Sequence, residues 1–196
     1  MQNGFTLVEV LVSVTIFATV MVVSLGTLLS MSDADRKAQT LKSVVNNLNF
    51  AMESMSRSIR TGYLYACDPS VPISGSPTPT DCTNGADSLG FLSSEGEVVV
   101  YRLETSDRTL CGQPKGQVGC IVRSQNGGLS FYPVTAPEVV VRSYAPASYM
   151  FYVNGAQALG VQPKVTILLS GTVEVSVSEQ SSFNLQTSVT QRLYDQ

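Results

Sequence analysis

The four cysteines are the first residues of this sequence whose chemistry must be explained. Cys67, Cys82, Cys111 and Cys120 form no Cys-x-x-Cys pair, whereas zinc sites favour that close spacing or histidine partners. Disulfides therefore fit better than a metal centre, and they predict an oxidising compartment outside the cytoplasm. Four buried free thiols are the alternative interpretation.

Four cysteines allow three disulfide pairings. We favour Cys67–Cys82 together with Cys111–Cys120, because each pair brackets a loop rich in Gly, Pro and Ser. A Cys67–Cys82 bond would also close the long loop that we predict over residues 67–95. On the chain-entropy estimate such a bond is worth about 3 kcal/mol.

Histidine is absent from the 196 residues, so the usual general base near neutral pH and the commonest metal ligand are missing. This inventory excludes Ser-His-Asp and Cys-His catalysis. Asp81, Asn84 and Asp87 could offer oxygens to calcium, but calcium binds about six to eight ligands, so we interpret them as turn residues. We expect no metal, no cofactor and no enzymatic activity.

The charge balance gives no sign of a surface that binds nucleic acid. The formal net charge is −3 and the sequence pI is about 4.9, whereas nucleic-acid-binding domains carry clustered basic residues. We therefore expect no nucleic-acid partner. Only 14% of residues are charged, and the apolar excess is concentrated at the N-terminus.

A long apolar run begins at Phe5 and continues to Met31, with Glu9 as its one charged residue. Such a run can cross a membrane core of about 30 Å as an α-helix. A cleaved secretory signal fits less well, because its apolar part spans about 7–15 residues after a basic start. Here every Lys and Arg lies beyond residue 35.

Glu9 is unusual because a carboxylate inside an apolar helix is unfavourable in lipid. That makes it a functional candidate. Since it lies close to the start of the chain, its side chain could instead reach the headgroups. Its spacing alone does not separate these two interpretations.

The segment Gly4-Phe5-Thr6-Leu7-Val8-Glu9, which leads directly into the apolar run, resembles the processing site of type IV pilins and of type II secretion pseudopilins. The resemblance implies that a prepilin peptidase removes a leader of residues 1–4 by cutting between Gly4 and Phe5, and that the new Phe5 amine is N-methylated. It also implies that Glu9 pairs with the Phe5 amine of a neighbouring subunit, which would give a buried carboxylate the cation it needs. The leader departs from the usual pattern in having no Lys or Arg.

Apolar residues recur at three- and four-residue steps between 32 and 61, as on one face of an α-helix. They are Ala38, Leu41, Val44, Val45, Leu48, Met52, Met55 and Ile59. We predict one helix over about 5–61 that ends at Gly62. Residues 5–31 would form its transmembrane and filament-core part, and residues 32–61 would be an amphipathic part that belongs to a head.

Residues 62–196 predict a disulfide-bonded, β-rich globular head. Short β-type runs alternate with turn residues, and we predict strands at 97–104, 118–124, 129–133, 138–144, 149–153, 164–170, 172–178 and 183–193. So many strands need more than one layer, so we expect a helix packed on one or two antiparallel sheets, an α+β fold. This order of elements is similar to that of the larger minor pilins and J-type pseudopilins.

These features together predict a minor pilin or pseudopilin, a structural subunit of a pilus, secretion or DNA-uptake filament. Its partners would be other pilin subunits, prepilin peptidase and an assembly-platform membrane protein. Before assembly it would cross the cytoplasmic (inner) membrane once with its head outside the cytoplasm, and it would then enter a cell-surface or periplasmic filament. The alternative is a membrane-anchored extracellular adhesin or binding module that does not polymerise.

Overall fold

A computed structural model of the protein describes residues 4, 6–69, 71–113, 116–143, 149–158, 160–176 and 179–192. The chain divides into two compact units, Met1–Lys42 and Ser43–Gln196. A long N-terminal helix is followed by antiparallel sheets, which confirms the predicted α+β class.

Helix α1 spans Leu7–Thr61. It can run this far because no proline occurs before Pro69, and a proline inside the helix would remove a hydrogen bond and clash with the preceding turn. The helix ends where predicted. The Gly62 N–H donates to the Ile59 carbonyl at 3.0 Å, and a Cβ at Gly62 would collide with the Phe91 ring.

Within the second unit, one face of α1 is buried. The buried residues of the helix are Val44, Leu48, Ala51, Met55 and Ile59. The predicted stripe was wrong at Ala38, which is exposed, and at Val45, which is 52% exposed, because these residues lie about 120° and 100° around the helix from Val44. The prediction also left out Ala51, a small residue that is buried between Leu48 and Met55 on the same face of the helix.

The strands are short in the first part of the head and long at its end. The elements that follow α1 are β1 (Tyr63–Cys67), β2 (Cys82–Ala86), β3 (Ser88–Leu92), β4 (Val98–Glu104), α2 (Arg108–Cys111), β5 (Cys120–Ser124), β6 (Tyr132–Pro133), β7 (Val139–Arg142), β8 (Phe151–Asn154), β9 (Lys164–Ser176) and β10 (Glu179–Thr190). All of their pairings are antiparallel.

These strands form two sheets. The first sheet has the order β1-β3-β4-β5-β6, and the second has the order β10-β9-β8-β2, with β7 also paired to β9. Side chains from both sheets and from the buried face of α1 share one hydrophobic core. The rings of Tyr65, Phe91 and Tyr101 follow one another in it, with centroids 5.9 and 6.1 Å apart.

The strand prediction missed β1 and was wrong in two further features. The loop predicted over 67–95 contains β2 and β3, and β3 is buried along most of its length. The strands predicted at 164–170 and 172–178 form one strand, β9, as far as Ser176, and it passes through Gly171 without a turn. Residues 177 and 178 lie outside the described residues. In both places neighbouring Gly, Ser or Pro residues suggested turns, and tertiary packing holds the chain extended instead.

Both disulfides have the pairing favoured from the sequence. Cys67–Cys82 joins the end of β1 in the first sheet to the start of β2 in the second, with Cα atoms 5.8 Å apart. Cys111–Cys120 joins α2 to β5, with Cα atoms 5.6 Å apart. The first bond is therefore a link between the two sheets as well as a loop closure.

Candidate functional site

The predicted processing site precedes the first helix. Gly4 is exposed, and a Cβ placed there would meet nothing within 4 Å. Phe5, the predicted new N-terminus, lies outside the described residues. Gly4 and Thr6 both come before Leu7, where α1 begins. Gly4 is therefore solvent-accessible and lies outside the helix, before its first residue.

Thr6 caps the start of α1. Its Oγ1 accepts from the Glu9 N–H at 3.3 Å, and its carbonyl accepts from the N–H groups of Glu9 and Val10 at 3.1 and 3.2 Å. A threonine cap followed three residues later by glutamate is the capping-box sequence. We did not predict this role for Glu9, although the Thr-x-x-Glu spacing was visible in the sequence. A negative side chain in the first turn is also favourable at the positive end of the helix dipole.

The Glu9 side chain is exposed, and among the described residues no cation lies within ion-pair distance of it. The predicted pairing with a Phe5 amine involves a second chain and a residue outside the described part, so it stays a prediction. The capping-box spacing and the pairing role are compatible, because a capping box uses a side-chain oxygen, which glutamine also has, whereas the pairing uses the negative charge.

The apolar side chains of α1 before residue 32 are exposed. Their exposed fractions run from 48% at Met21 to 77% at Leu7. The set comprises Leu7, Val8, Val10, Leu11, Val12, Val14, Ile16, Phe17, Val20, Met21, Val22, Val23, Leu25, Leu28, Leu29 and Met31. An apolar surface that surrounds a helix in this way is typical of a segment covered by lipid or by other helices.

Several hydroxyl groups along this segment donate to carbonyls of the helix itself. Ser13 donates to the Glu9 carbonyl at 2.9 Å, Thr15 to Leu11 at 2.7 Å, and Thr19 to Ile16 at 2.8 Å. Polar groups in hydrocarbon must find partners internally. These bonds therefore let the segment enter an apolar environment without leaving those hydroxyls unpaired. By length and composition α1 contains one stretch able to cross a membrane.

Two of the three residues considered for calcium are separated by a whole strand. Asp81 and Asp87 flank opposite ends of β2, and Asp81 Oδ1 instead accepts from the Ala156 N–H at 2.7 Å. Asp87 is partly buried, and desolvation raises the pKa of its carboxyl group, with Asp68 adding to the effect and a backbone hydrogen bond from Met150 opposing it. Within the described ranges no group of three or more His, Cys, Asp or Glu side chains is placed to hold a metal ion.

Comparison with known proteins adds one finding. Residues 1–25 match the family model described as the prokaryotic N-terminal methylation motif. No curated protein and no solved structure matches the chain. The motif points to a processed protein of the type IV pilin or pseudopilin kind. Together with the uncovered apolar helix it fits a membrane-anchored precursor.

Proposed function

We propose that the chain is a minor pilin or pseudopilin, a structural subunit of a type IV pilus or a type II secretion-like filament. The observation that carries the proposal is the continuity between the methylation motif at residues 1–25 and an apolar helix whose side chains are exposed. Lipid would cover this helix in the precursor, and the helices of other subunits would replace lipid after assembly. The proposal gives the chain a structural role and no catalytic one.

The proposed partners follow from the same segment. Prepilin peptidase would cut after Gly4, and the assembly-platform membrane protein would move the subunit from the inner membrane into the filament. The Glu9 carboxylate would leave lipid together with its helix and pair with the methylated Phe5 amine of a neighbouring subunit. An ion pair in an apolar layer is favoured only when both charges are present.

Mass spectrometry of the mature N-terminus tests processing. The expected species begins at Phe5 and carries a methyl group on its amine. The alternative function, an anchored adhesin that does not polymerise, predicts peptides that retain Met1–Gly4 with an unmodified Phe5. Detection of only that second species would refute the proposal.

Two substitutions of Glu9 separate assembly from helix capping. Glu9→Gln removes the charge but keeps a side chain suited to the capping box, whereas Glu9→Ala removes both. We expect both variants to insert in the membrane and both to be depleted from purified filaments relative to wild type. If Glu9→Gln enters filaments as well as wild type does, the charge has no role in assembly and capping explains the residue.

A further inference from the structure

One edge of the second sheet is an open strand. β10 pairs with β9 from Glu179 to Thr190. Among the described residues no other segment forms a backbone hydrogen bond with β10. In an antiparallel pair, the main-chain groups that do not face the partner strand point outward in a regular row. β10 therefore presents unpaired N–H and C=O groups along its outer edge.

The edges of the first sheet carry features that oppose pairing. β6 has two residues and ends at Pro133, which has no N–H to donate. β1 has a register shift between Tyr63 and Ala66, and Leu64 adopts a left-handed φ of 56°. Short, irregular or proline-containing strands are the usual means of protecting a sheet edge.

The remaining edges of the second sheet are also short, irregular or covered. β2 has five residues and a register shift between Cys82 and Ala86. The outer edge of β7 is covered by two hydrogen bonds. The Gln113 side-chain amide donates to the Val139 carbonyl at 2.7 Å, and the Val141 N–H donates to the Gly119 carbonyl at 2.9 Å.

From Gln180 to Thr190, β10 has none of these protective features. Residues 180–190 contain no charged residue, no proline and no glycine, and their register with β9 is constant from Gln180 to Thr190. A long, regular and uncharged edge is a template for pairing with another chain. Since every other edge in the described part of the head is short, irregular or covered, β10 is the edge best suited to accept a further strand.

We propose that β10 accepts an extended segment of a different filament subunit, which adds to the second sheet as one further strand. Such β-strand addition draws its affinity from main-chain hydrogen bonds and its selectivity from alternate side chains. On β10, Phe183, Leu185 and Val189 are buried or half-buried, whereas Asn184 and Gln186 are exposed. The matching segment is uncharged, with aliphatic or β-branched residues toward the first set and hydroxyl or amide residues toward the second.

The choice of a different chain rests on the proposed filament function. Antiparallel pairing of two β10 strands would be an isologous contact, which closes a dimer, whereas filaments grow through heterologous contacts. In a heterologous contact β10 must meet another surface of its neighbour. The other described strand edges of this chain are blunted, so the complementary strand belongs to a different subunit.

Peptide binding to the full-length chain in detergent micelles tests this edge. The probe is a fluorescent peptide with the sequence of residues 165–172, because β9 already pairs with β10 and these residues are uncharged. Its control carries N-methyl groups at alternate residues, which remove the N–H donors of one edge and keep the peptide apolar enough to partition into micelles. We expect fluorescence anisotropy to show at least ten-fold weaker binding of the methylated peptide.

Matched variants of the chain locate the binding edge. Asn184→Lys/Ser188→Lys places two charges on exposed positions of β10, and Thr83→Lys/Asn84→Lys places two on the β2 edge. We expect at least ten-fold weaker binding of the unmodified peptide for the first pair and unchanged binding for the second. Equal binding of both peptides, or equal effects of both lysine pairs, would overturn the proposal.

Sedimentation of the full-length chain without peptide tests the other occupant. We expect a single subunit per micelle. A dimer that the Asn184→Lys/Ser188→Lys variant abolishes would make a second copy the partner and overturn the inference. Methylation of Phe5 is measured separately, so failure at β10 and failure of the filament proposal give different results.

Discussion

The ring of Phe183 on β10 lies directly over Gly171 on β9. The two residues are register partners, and a Cβ at Gly171 would lie 2.5 Å from the Phe183 ring and would also collide with the Val140 carbonyl. The glycine thus provides room for an aromatic side chain on one strand and for the close approach of β7 on the other side. It lies within the pairing of the two longest strands of the head.

Gly171→Ala should destabilise the head by roughly 1–3 kcal/mol, because the added methyl group overpacks a site bounded by main chain. Thermal unfolding followed by circular dichroism measures the change. Adding Phe183→Leu should recover part of the loss, since the leucine can move away while the Val140 carbonyl cannot. A Gly171→Ala variant as stable as wild type would contradict the packing described here.

Helix α1 and the fold class could be predicted from the sequence, because a periodic apolar stripe and alternating β-type runs indicate which face of each element is buried. It was insufficient at Gly171, since the reason for that glycine is a ring twelve residues later in the chain, and only the paired strands bring the two together. β3 was missed for a related reason. Its neighbours are Ser, Gly and Asp, and its burial depends on β4 and β1.

The features proposed to be functional also fall into those that are local in the sequence and those that depend on the whole fold. The processing motif and the apolar helix are local features, so residues 4–31 could be interpreted without a structure. The open edge of β10 could not, because whether a strand lies at an edge is decided by the topology of the whole sheet. The capping-box spacing of Thr6 and Glu9 can be recognised in the sequence. We did not predict it, because the apolar context suggested an assembly role for the Glu9 carboxylate.

The buried Tyr65 side chain forms hydrogen bonds with carbonyl groups at the C-terminal end of α1. Its hydroxyl lies 2.6 Å from the Ile59 carbonyl and 2.7 Å from the Gly62 carbonyl, and burial raises the pKa of its phenol. Tyr65→Phe should cost about 1–3 kcal/mol, because carbonyls at a buried helix end lose a donor. Tyr63→Phe is the matched control, since Tyr63 is 39% exposed. Equal effects in denaturant unfolding would contradict this role.

The raised phenol pKa of Tyr65 also predicts alkaline sensitivity. A group whose pKa is higher in the folded state contributes stability below its unfolded pKa, near 10 for tyrosine, and that contribution is lost as the pH rises further. Wild type should therefore lose stability above about pH 10 more steeply than Tyr65→Phe. Denaturant midpoints measured from pH 8 to pH 11 test the difference in slope.

Glu104 is a buried carboxylate whose contribution to stability should depend on pH in the opposite sense to that of Tyr65. Burial alone would raise its pKa, but hydrogen bonds from the Ser106 hydroxyl and N–H and the Asp107 N–H, with the nearby Arg102 guanidinium, lower the pKa to about 2. The Arg102 Nη2 to Glu104 Oε2 distance is 2.6 Å. These partners fix the turn that leads from β4 to α2.

A carboxylate whose pKa is depressed in the folded state stabilises the fold above its unfolded pKa, and this contribution is lost as the pH falls through the folded value. Stability should therefore fall between about pH 4.5 and pH 2, by up to roughly 3 kcal/mol from this residue. Glu104→Gln should be less stable than wild type at pH 7 and should show a flatter decline in acid. Glu95→Gln, at an exposed position, is the control. A decline as steep in Glu104→Gln as in wild type would show that other groups cause it.

The Cys67–Cys82 bond should hold the two sheets together, because its residues end β1 and begin β2. Replacing both by alanine should cost about 3 kcal/mol, as expected for closing a loop of about 15 residues. Hydrogen exchange should then show the loss of protection extending from residues 68–81 into β2 and β8, which pair with each other. The Cys111→Ala/Cys120→Ala variant is the control, because that bond lies beside the first sheet alone. Loss of protection confined to residues 68–81 would mean that the bond closes a loop without coupling the sheets.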